Sequence, residues 1–533
     1  MNKIATYLNE HLLGEATASK AVRKRMSRDG GILTITPEIV VFPRVTNDIR
    51  KVARFTWQLA EKGHPMTMTV RGRGGDTTGA SIGKGIILDT SVHLNKIMTI
   101  SVKDRLAHVQ PGISFDVLQN ALSWQGLTIA NAPYDTCHST VGGAIATGSL
   151  GETDSIAPSI KKLEIILANG DIIETGRLSR GEVNKKLGLQ TFEGEIYRKL
   201  SGLLEDNEAL VAQLAQDMTP DTTAYRGITR VKQKDGSMDL TPLIIGSQGT
   251  LGIISEVVLT ADFYSEEKIS AVIVAETDEL ARDLADRITE LNPSSLLTIE
   301  SELLNRARAY GKHSELLGDG EQTGTLLYLT FDDFNDRARR HKLKKLQKLA
   351  SKLGISMIDS HDHDQSGFDQ LRDIVSSFGR IAEDDKVALP ILDGSYIPVD
   401  RREEFTGAIR ELATKQHVSL PTITNVLTGI VTAYPQLKLD VVSDKQKIFR
   451  LMSEYAAIVH KCNGAVTSDG AEGRLKAPAA WSVLDDAEVA LYEGVREVFD
   501  PFKTLNPGVK QKVEVRTLVA SLRTSYDTTD SLS

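Results

Sequence analysis

Cysteine is scarce in this chain, and its scarcity narrows the classes of protein that the sequence can encode. Only Cys137 and Cys462 occur among 533 residues, far apart and outside any CxxC pair. This spacing excludes a disulfide framework and a cysteine-based zinc or redox motif, and it is typical of a reducing compartment. The sequence also lacks the apolar run of a signal peptide and any stretch of 18 or more apolar residues. We therefore expect a cytoplasmic protein without a transmembrane segment.

The sequence also has no excess of basic residues over acidic ones. The 71 Asp and Glu residues outnumber the 63 Lys and Arg residues, and the formal net charge is -8 at pH 7. Because nucleic-acid-binding proteins normally present a basic face, nucleic acid is not expected as a partner. One basic stretch, residues 340–353, places leucines on one helical face. Peripheral membrane contact and a surface helix packed on a sheet are its two interpretations, and the strand-like segments on both sides favour the second.

The pattern of the sequence divides the chain into several parts. Its length is enough for two or three cores with a cofactor between them. We predict an N-terminal segment over 1–36 and a first domain over 37–262, in which short strands and small helices alternate. A cap domain over 263–450 has longer helices between isolated strands. Residues 451–512 hold a helical stretch and end in DPFKTLNPG, and the polar residues 513–533 are expected to form a flexible tail.

Three glycine-rich segments of the first domain have the composition of cofactor-binding loops. Glycine lets backbone N–H groups approach phosphate oxygens or a flat ring closely, and Thr and Arg side chains supply further donors. Taken singly, each segment is equally compatible with an ordinary turn or a close packing point. The segments are Arg71-Gly72-Arg73-Gly74-Gly75-Asp76-Thr77-Thr78-Gly79, Ser139-Thr140-Val141-Gly142-Gly143-Ala144-Ile145-Ala146-Thr147-Gly148 and Gly246-Ser247-Gln248-Gly249-Thr250-Leu251-Gly252-Ile253-Ile254.

In this order and at these separations, the three segments resemble the flavin domain of the vanillyl-alcohol oxidase and p-cresol methylhydroxylase superfamily. The FAD-linked D-2-hydroxy-acid dehydrogenase branch is the most similar. The resemblance runs from about Thr36 to Lys510, and GSQGTLGIISEVVL and LNPG are its most specific motifs. It implies an α+β protein with a two-subdomain FAD-binding domain of the p-cresol methylhydroxylase type, covered by a cap of antiparallel sheet and helices.

The resemblance also implies that residues 451–512 return the chain from the cap to the flavin site, and it implies which residues hold the FAD. It assigns the diphosphate to the first segment, the flavin and its ribityl chain to Pro133 and the second, and the isoalloxazine or adenine side to the third. Noncovalent FAD is expected: Asp76 stands where some relatives attach flavin through histidine, and Cys137 is one residue out of register for a cysteinyl bond. The implied cofactor-binding residues are Arg71, Gly72, Arg73, Gly74, Gly75, Asp76, Thr77, Thr78, Pro133, Thr140, Val141, Gly142, Gly143, Ala144, Thr147, Gly148, Gly252, Ile253, Ile254 and Asn506.

Two motifs of that branch are altered in this chain. Its metal-ligand segment carries two histidines around Gly-Asp-Gly-Asn, whereas residues 424–432 read TNVLTGIVT. Its Gly-Glu-His-Gly motif reads Ser468-Asp469-Gly470-Ala471 here. Because neutral imidazole is the usual metal ligand and proton acceptor near neutral pH, these losses predict no catalytic metal and leave the general base unassigned. The run His361-Asp362-His363-Asp364 is more typical of a solvated turn than of a metal site.

The function implied by the resemblance is that of an FAD-dependent oxidoreductase. It would transfer hydride from a small hydroxylated substrate, such as the D-2-hydroxy acids lactate or glycolate, to flavin N5. Arg474 and Lys476, which follow the altered motif, and Arg380 are the cations expected to fix the substrate carboxylate. A dehydrogenase or oxidase of a larger alcohol, sugar or lactone and a flavin-binding protein with little turnover are the alternatives. The electron acceptor is not assigned.

Overall fold

The protein is described here from a computed structural model. The structure describes residues 2–526 except 313, 319, 362, 381, 384 and 385, with the backbone alone at 380, 382, 383 and 386. The strands are β1 (Glu15–Thr17), β2 (Ile39–Phe42), β3 (Met68–Arg71), β4 (Ile86–Asp89), β5 (Ile97–Ser101), β6 (Leu106–Val109), β7 (Leu127–Thr128), β8 (Ile160–Ile166), β9 (Ile172–Glu174), β10 (Ile253–Thr260), β11 (Asp262–Phe263), β12 (Ile269–Ala275), β13 (Ser295–Glu300), β14 (Thr325–Phe331), β15 (Met357–Asp359), β16 (Ala382–Glu383), β17 (Lys386–Ala388), β18 (Leu392–Tyr396), β19 (Thr422–Asn425), β20 (Ile430–Ala433) and β21 (Gln436–Leu437).

The helices alternate with these strands and cover both faces of the larger sheets. In chain order they are α1 (Lys3–His11), α2 (Lys20–Met26), α3 (Thr46–Glu61), α4 (Phe115–Ser123), α5 (Val141–Thr147), α6 (Arg180–Leu187), α7 (Phe192–Asp206), α8 (Glu208–Leu214), α9 (Thr241–Ile244), α10 (Asp278–Thr289), α11 (Ser301–Ala309), α12 (Asp336–Leu353), α13 (Gln365–Ser376), α14 (Arg402–Gln416), α15 (Val442–Lys461), α16 (Ala477–Ala480), α17 (Asp486–Phe499) and α18 (Val515–Ala520). Within the described ranges, no helix has the length and apolar content needed to span a bilayer.

The first domain contains two main sheets. One has the strand order β1-β2-β4-β3, in which β2, β4 and β3 are parallel and β1 pairs antiparallel at the edge. Strands β2 and β4 are short apolar runs that are buried along almost their whole length, as expected of parallel strands covered on both faces. The other sheet is antiparallel, with the order β5-β6-β10-β8-β9. The first glycine segment follows β3 of one sheet, the third leads into β10 of the other, and the second forms the start of α5.

The cap is built on a seven-stranded antiparallel sheet with the order β15-β12-β14-β13-β19-β20-β18. Alternate residues of its central strands face opposite sides, as the period of a strand requires. Leu284 of α10 and Leu346 of α12 pack on one side, and Phe368 and Leu371 of α13 pack on the other. Helix α12 is the basic stretch of the sequence, and its apolar face lies on this sheet. The α+β class and the antiparallel cap are as predicted.

The N-terminal residues and the C-terminal residues pack together beside the first domain. Leu33 forms a backbone bridge with Leu522, and the Tyr526 hydroxyl donates to the carbonyl of Gly30 at 2.6 Å. Arg523 is buried, with 2% of its surface exposed. The polar segment after residue 512 therefore packs as far as Tyr526, where its composition predicted a flexible tail, because these apolar and backbone contacts tie it down. We propose that residues 1–36 and 513–526 belong to the first domain.

Candidate functional site

A cavity of about 470 Å³ lies between the first domain and the cap. Parts of all three glycine segments line it, together with Pro133. The cap contributes residues from the β18 and β20 region, including Asp393 and Tyr434, and the returning segment contributes Asp469 and Lys476. The structure thus brings together most of the residues that were predicted to bind FAD. The predicted cofactor-binding residues outside the cavity lining are Arg71, Val141, Gly148 and Asn506.

The first glycine segment turns sharply after β3. Gly74 has a φ of 77°, and a Cβ at this position would lie 2.0 Å from the Arg71 guanidinium, so a larger residue does not fit. The carboxylate of Asp76 accepts a hydrogen bond from the backbone N–H of Ala80 at 2.8 Å and closes the turn. The segment 72–78 therefore lines the cavity, whereas the side chain of Arg71 is buried behind it.

Several buried charges lie behind this first segment. Burial, and then the negative charge of Asp76, raise the pKa of Asp29 to about 8. Burial lowers the pKa of Arg71, although the nearby carboxylates of Asp29, Asp89 and Asp76 oppose the shift. Burial also raises the pKa of Asp89. The loop that faces the cavity thus rests on a cluster of carboxyl groups around one guanidinium.

The second segment forms the start of α5. Thr140 caps this helix: its side chain accepts a hydrogen bond from the backbone N–H of Gly143. A Cβ on Gly142 would lie 2.6 Å from the side chain of Pro111, so glycine permits the helix to lie close to that residue. Val141 points into the core, and Gly148, with a φ of 71°, ends the helix. Those two residues shape the helix but do not face the cavity.

Asn506 connects the other elements of the site. Its side-chain amide donates to the carbonyl of Ala80, after the first segment, at 2.9 Å, and to the carbonyl of Gln248, in the third, at 2.8 Å. Its side-chain oxygen accepts a hydrogen bond from the Thr69 hydroxyl, in β3, at 3.0 Å. Asn506 is fully enclosed, with 1% of its surface exposed. It therefore positions the loops from behind.

The predicted substrate cations have different surroundings. The ammonium of Lys476 lines the cavity and lies 2.6 Å from the backbone oxygen of Asp393 and 2.8 Å from its carboxylate. Arg474 does not line it, because its guanidinium is turned toward backbone oxygens, including that of Pro507 at 2.7 Å. Burial lowers the pKa of Arg474 to about 10. The structure gives Arg474 a position behind the wall, not the substrate-facing position predicted. The side chain of Arg380 lies outside the described residues.

Residues from both altered motifs line the cavity. Asp469, Gly470 and Thr432 line it, whereas Asn425 donates to the backbone oxygen of Glu152 at 2.9 Å and does not. Burial raises the pKa of Asp469. A group of three His, Cys, Asp or Glu side chains suited to a metal is not found in the described part of the chain, and Asp362 of the 361–364 run lies outside it.

The sequence interpretation missed several residues that line the site. Asp393 is the second residue of β18, and its carboxylate accepts a hydrogen bond from the Thr77 hydroxyl, in the first glycine segment, at 2.8 Å. Tyr134 and Tyr434 also line the cavity, and burial raises the pKa of both phenols. The Asp-Gly pair at 393–394 was the one available signal for Asp393. Nothing local in the sequence indicates that either tyrosine faces a ligand.

The cavity fits a flavin dinucleotide. A Cβ on Gly72 or Gly74 would collide with a neighbouring side chain, whereas a Cβ on Gly75 would have no protein atom nearer than 3.5 Å, so the loop backbone is tightly packed behind and open at Gly75. The amide nitrogen of Gln248 is buried in the cavity wall, and none of the described residues accepts a hydrogen bond from it. An orphaned buried donor in such a wall is expected to meet an acceptor on the bound molecule. The first and second segments and Gln248 could therefore hold the dinucleotide.

Comparison with known proteins agrees with this geometry. The FAD binding domain family matches residues 37–176, and the FAD linked oxidases, C-terminal domain family matches residues 265–509. The D-2-hydroxyglutarate dehydrogenase of Pantoea ananatis (strain AJ13355) is 24% identical, over 99% of this chain and 54% of its own length. Glycolate oxidase subunit GlcD of Bacillus subtilis (strain 168) is 23% identical, over 91% of this chain and 92% of its own. The chain spans about half the length of the D-2-hydroxyglutarate dehydrogenases that it matches.

A solved structure has the same fold. The crystal structure of p-cresol methylhydroxylase with substrate bound has a TM-score of 0.68 and 12% identity, covering 93% of this chain and 94% of that one. At this identity the likeness concerns the fold alone. The two family matches together include most of the chain and both of its domains. The chain therefore belongs to the FAD-linked oxidoreductases that these two families describe, its fold is of the p-cresol methylhydroxylase type, and its cofactor is FAD.

Proposed function

We propose that the protein is an FAD-dependent dehydrogenase of a small D-2-hydroxy acid such as lactate or glycolate. The observation that carries this proposal is the position of Lys476, a buried cation in the wall of the cavity that the glycine segments line. A carboxylate that leaves water needs a cationic partner. The ammonium has three donors and donates to the backbone oxygen of Asp393, so it keeps donor capacity for a ligand. The names of the relatives specify 2-hydroxy acids of the same class.

The residues of the chain bind and orient the reactants. We assign the diphosphate of FAD to the backbone of 72–78, and the flavin and ribityl chain to Pro133 and the 140–147 segment. Residues 252–254 are assigned to the isoalloxazine or adenine side. When bound, the flavin supplies two-electron oxidation of the carbon that carries the substrate hydroxyl. Lys476 would fix the carboxylate, and burial keeps the phenol of Tyr434 neutral as a hydrogen-bond donor.

A second function is favoured by a specific feature of the same wall. Asp393 and Asp469 both line the cavity and both interact with the charge of Lys476, so two carboxyl groups accompany this cation. A pocket with this balance also suits a neutral hydroxyl group, such as that of a larger alcohol, sugar or lactone. The two functions differ in what Lys476 does. Only the oxidation of a substrate with a carboxylate should depend strongly on the positive charge of Lys476.

Anaerobic reduction of the flavin tests the proposal. The holoenzyme is mixed with D-lactate, L-lactate, glycolate, D-2-hydroxyglutarate, and neutral alcohols and sugars, and the loss of flavin absorbance is followed. We expect bleaching by D-2-hydroxy acids. Lys476→Met should lower kcat/KM for the acids about ten- to a hundredfold, the loss of one charge-assisted contact, while FAD stays bound. Bleaching by neutral compounds alone, unaffected by Lys476→Met, would establish the second function, and no bleaching by any compound would contradict both.

A further inference from the structure

The proposed oxidation needs a group that accepts the hydroxyl proton, and the altered motif supplies no histidine for it. Asp469 stands in that motif and lines the cavity. Its carboxylate accepts a hydrogen bond from the backbone N–H of Leu150, at 3.0 Å, and also interacts with the backbone N–H of Gly470. A carboxylate has about four acceptor sites, so Asp469 can also receive a hydrogen bond from a hydroxyl group in the cavity.

Asp469 and Lys476 are held at adjacent points of one strand. The backbone N–H of Asp469 donates to the carbonyl of Gly394 at 3.0 Å, and the ammonium of Lys476 donates to the carbonyl of Asp393 at 2.6 Å. Both acceptors belong to β18, and they are consecutive residues. In a 2-hydroxy acid the hydroxyl and the carboxylate are on neighbouring carbons. The charge of Lys476 also acts on the Asp469 carboxylate, and both groups line the cavity, so one small substrate can contact the base and the cation together.

A rival proton acceptor lines another part of the cavity. His138 lies in the wall, and its imidazole is hydrogen-bonded to the carboxylate of Asp135 at 2.7 Å. Its backbone is close to the first glycine segment: a Cβ on Gly75 would lie 3.5 Å from the His138 carbonyl oxygen. His138 is thus beside the loop assigned to the diphosphate, while Asp469 is tied to the strand that holds Lys476. The arrangement favours Asp469.

We propose that Asp469 is the proton acceptor of the reaction and that Lys476, beside it, holds the substrate carboxylate; this rests on the proposed function. The O–H bond of the substrate breaks and its proton moves to Asp469. The neighbouring C–H bond breaks, and the hydrogen leaves with the bonding electron pair to the oxidised flavin, the two-electron acceptor. The C–O single bond becomes the C=O bond of a 2-oxo acid, so atoms and electrons balance.

The electrostatic surroundings of Asp469 suit this role. Burial raises its pKa, and the negative charge of Asp393 acts in the same direction, while the positive charge of Lys476 and the Leu150 N–H oppose it. The phenol of Tyr134 is a further titratable neighbour. A carboxylate with a raised pKa is a stronger base than an exposed one, and an acceptor works best when its pKa approaches the working pH.

Two measurements test Asp469, and one of them does not depend on turnover. Asp469→Asn keeps the size of the side chain and the oxygen that faces Leu150 but cannot take a proton. We expect it to retain FAD and to slow flavin reduction by D-lactate about 10²- to 10⁴-fold, with partial recovery in Asp469→Glu. The matched control is Asp440→Asn, an exposed carboxyl of the cap, which should react like wild type.

The second measurement is the binding of pyruvate to the oxidised holoenzyme, followed by the change in flavin absorbance between pH 5 and pH 8. In wild type the affinity should fall as Asp469 ionises beside the anion. This dependence should disappear in Asp469→Asn and persist in His138→Gln. If the dependence is lost in His138→Gln instead, or if Asp469→Asn reduces the flavin at the wild-type rate, Asp469 is not the acceptor. Failure of the wild-type protein to react with any 2-hydroxy acid would contradict the proposed function. The results with Asp469→Asn and His138→Gln concern only the role of Asp469.

Discussion

Lys510 and Glu472 form an ion pair of 3.4 Å in which neither side chain is exposed to solvent. Glu472 also accepts hydrogen bonds from the backbone N–H of Ala224 at 2.9 Å and from the indole of Trp481 at 2.5 Å. The ammonium of Lys510 contacts the backbone oxygen of Thr222. This pair therefore joins the segment after the altered motif, and the end of the returning chain, to the first domain.

Removal of Lys510 should destabilise the protein strongly. In Lys510→Met the carboxylate of Glu472 stays buried without its cation, and breaking a buried pair in this way costs about 3 to 5 kcal/mol. Urea unfolding of the holoprotein measures the change. The control is Lys461→Met, which removes an exposed pair with Glu404 and should cost less than about 1 kcal/mol. Equal midpoints for the two variants would show that the buried pair does not stabilise the fold.

The hydrogen bonds of Asn506 should control FAD affinity. Asn506→Asp keeps the shape of the side chain but replaces an amide that donates to two backbone oxygens with a carboxylate that repels them. The loops that face the cavity then lose their support, and we expect at least a tenfold higher dissociation constant for FAD, measured from the fluorescence of released flavin. Asn463→Asp is the control, because Asn463 is exposed and its φ of 55° is positive like the φ of 41° of Asn506. Unchanged affinity in Asn506→Asp would contradict this role.

The sequence predicted the site most accurately where the chemistry is carried by the backbone. The three glycine segments were assigned to one cofactor, and they line one cavity, because glycine content and local turns are encoded over a few residues. Side-chain direction is decided by distant parts of the chain. Arg474 was expected to face the substrate, yet carbonyl oxygens more than 30 residues away in sequence, among them that of Pro507, orient its guanidinium. Asp393 reaches Thr77 across 316 positions, a contact that no local pattern encodes.

FAD is expected to be released from the protein by acid. Cys137 is exposed and does not line the cavity, and Asp76 uses its carboxylate to close its own turn. Acid precipitation should give a colourless pellet and a yellow supernatant that contains FAD. Cys137→Ala should behave identically. A yellow pellet from the parent protein that becomes colourless in Cys137→Ala would demonstrate a covalent bond at this cysteine.

Catalysis is expected to proceed without a bound transition metal. Asn425, Thr432 and Gly470 occupy the positions where the related motifs would supply ligands, and the amide of Asn425 is engaged with the backbone oxygen of Glu152. Extensive dialysis against EDTA should leave flavin reduction within about twofold of its starting rate. Elemental analysis of the active protein should show well under one zinc, iron or manganese ion per chain. Loss of activity that is restored by one metal alone would overturn this prediction.

Asp29 should make the protein less stable as the pH rises. Its pKa is raised from 3.8 to about 8 in the folded chain, chiefly by burial and then by Asp76. Between these values the folded state keeps the proton that the unfolded state has lost, so stability falls as the pH rises toward 8 and levels off above it. Asp29→Asn removes the ionisation, and its stability relative to the parent protein should be about 3 to 4 kcal/mol greater at pH 8 than at pH 5. The melting temperatures of the holoproteins, compared with those of Asp440→Asn across this range, provide the measurement. A constant difference between Asp29→Asn and the parent would show that Asp29 does not titrate there.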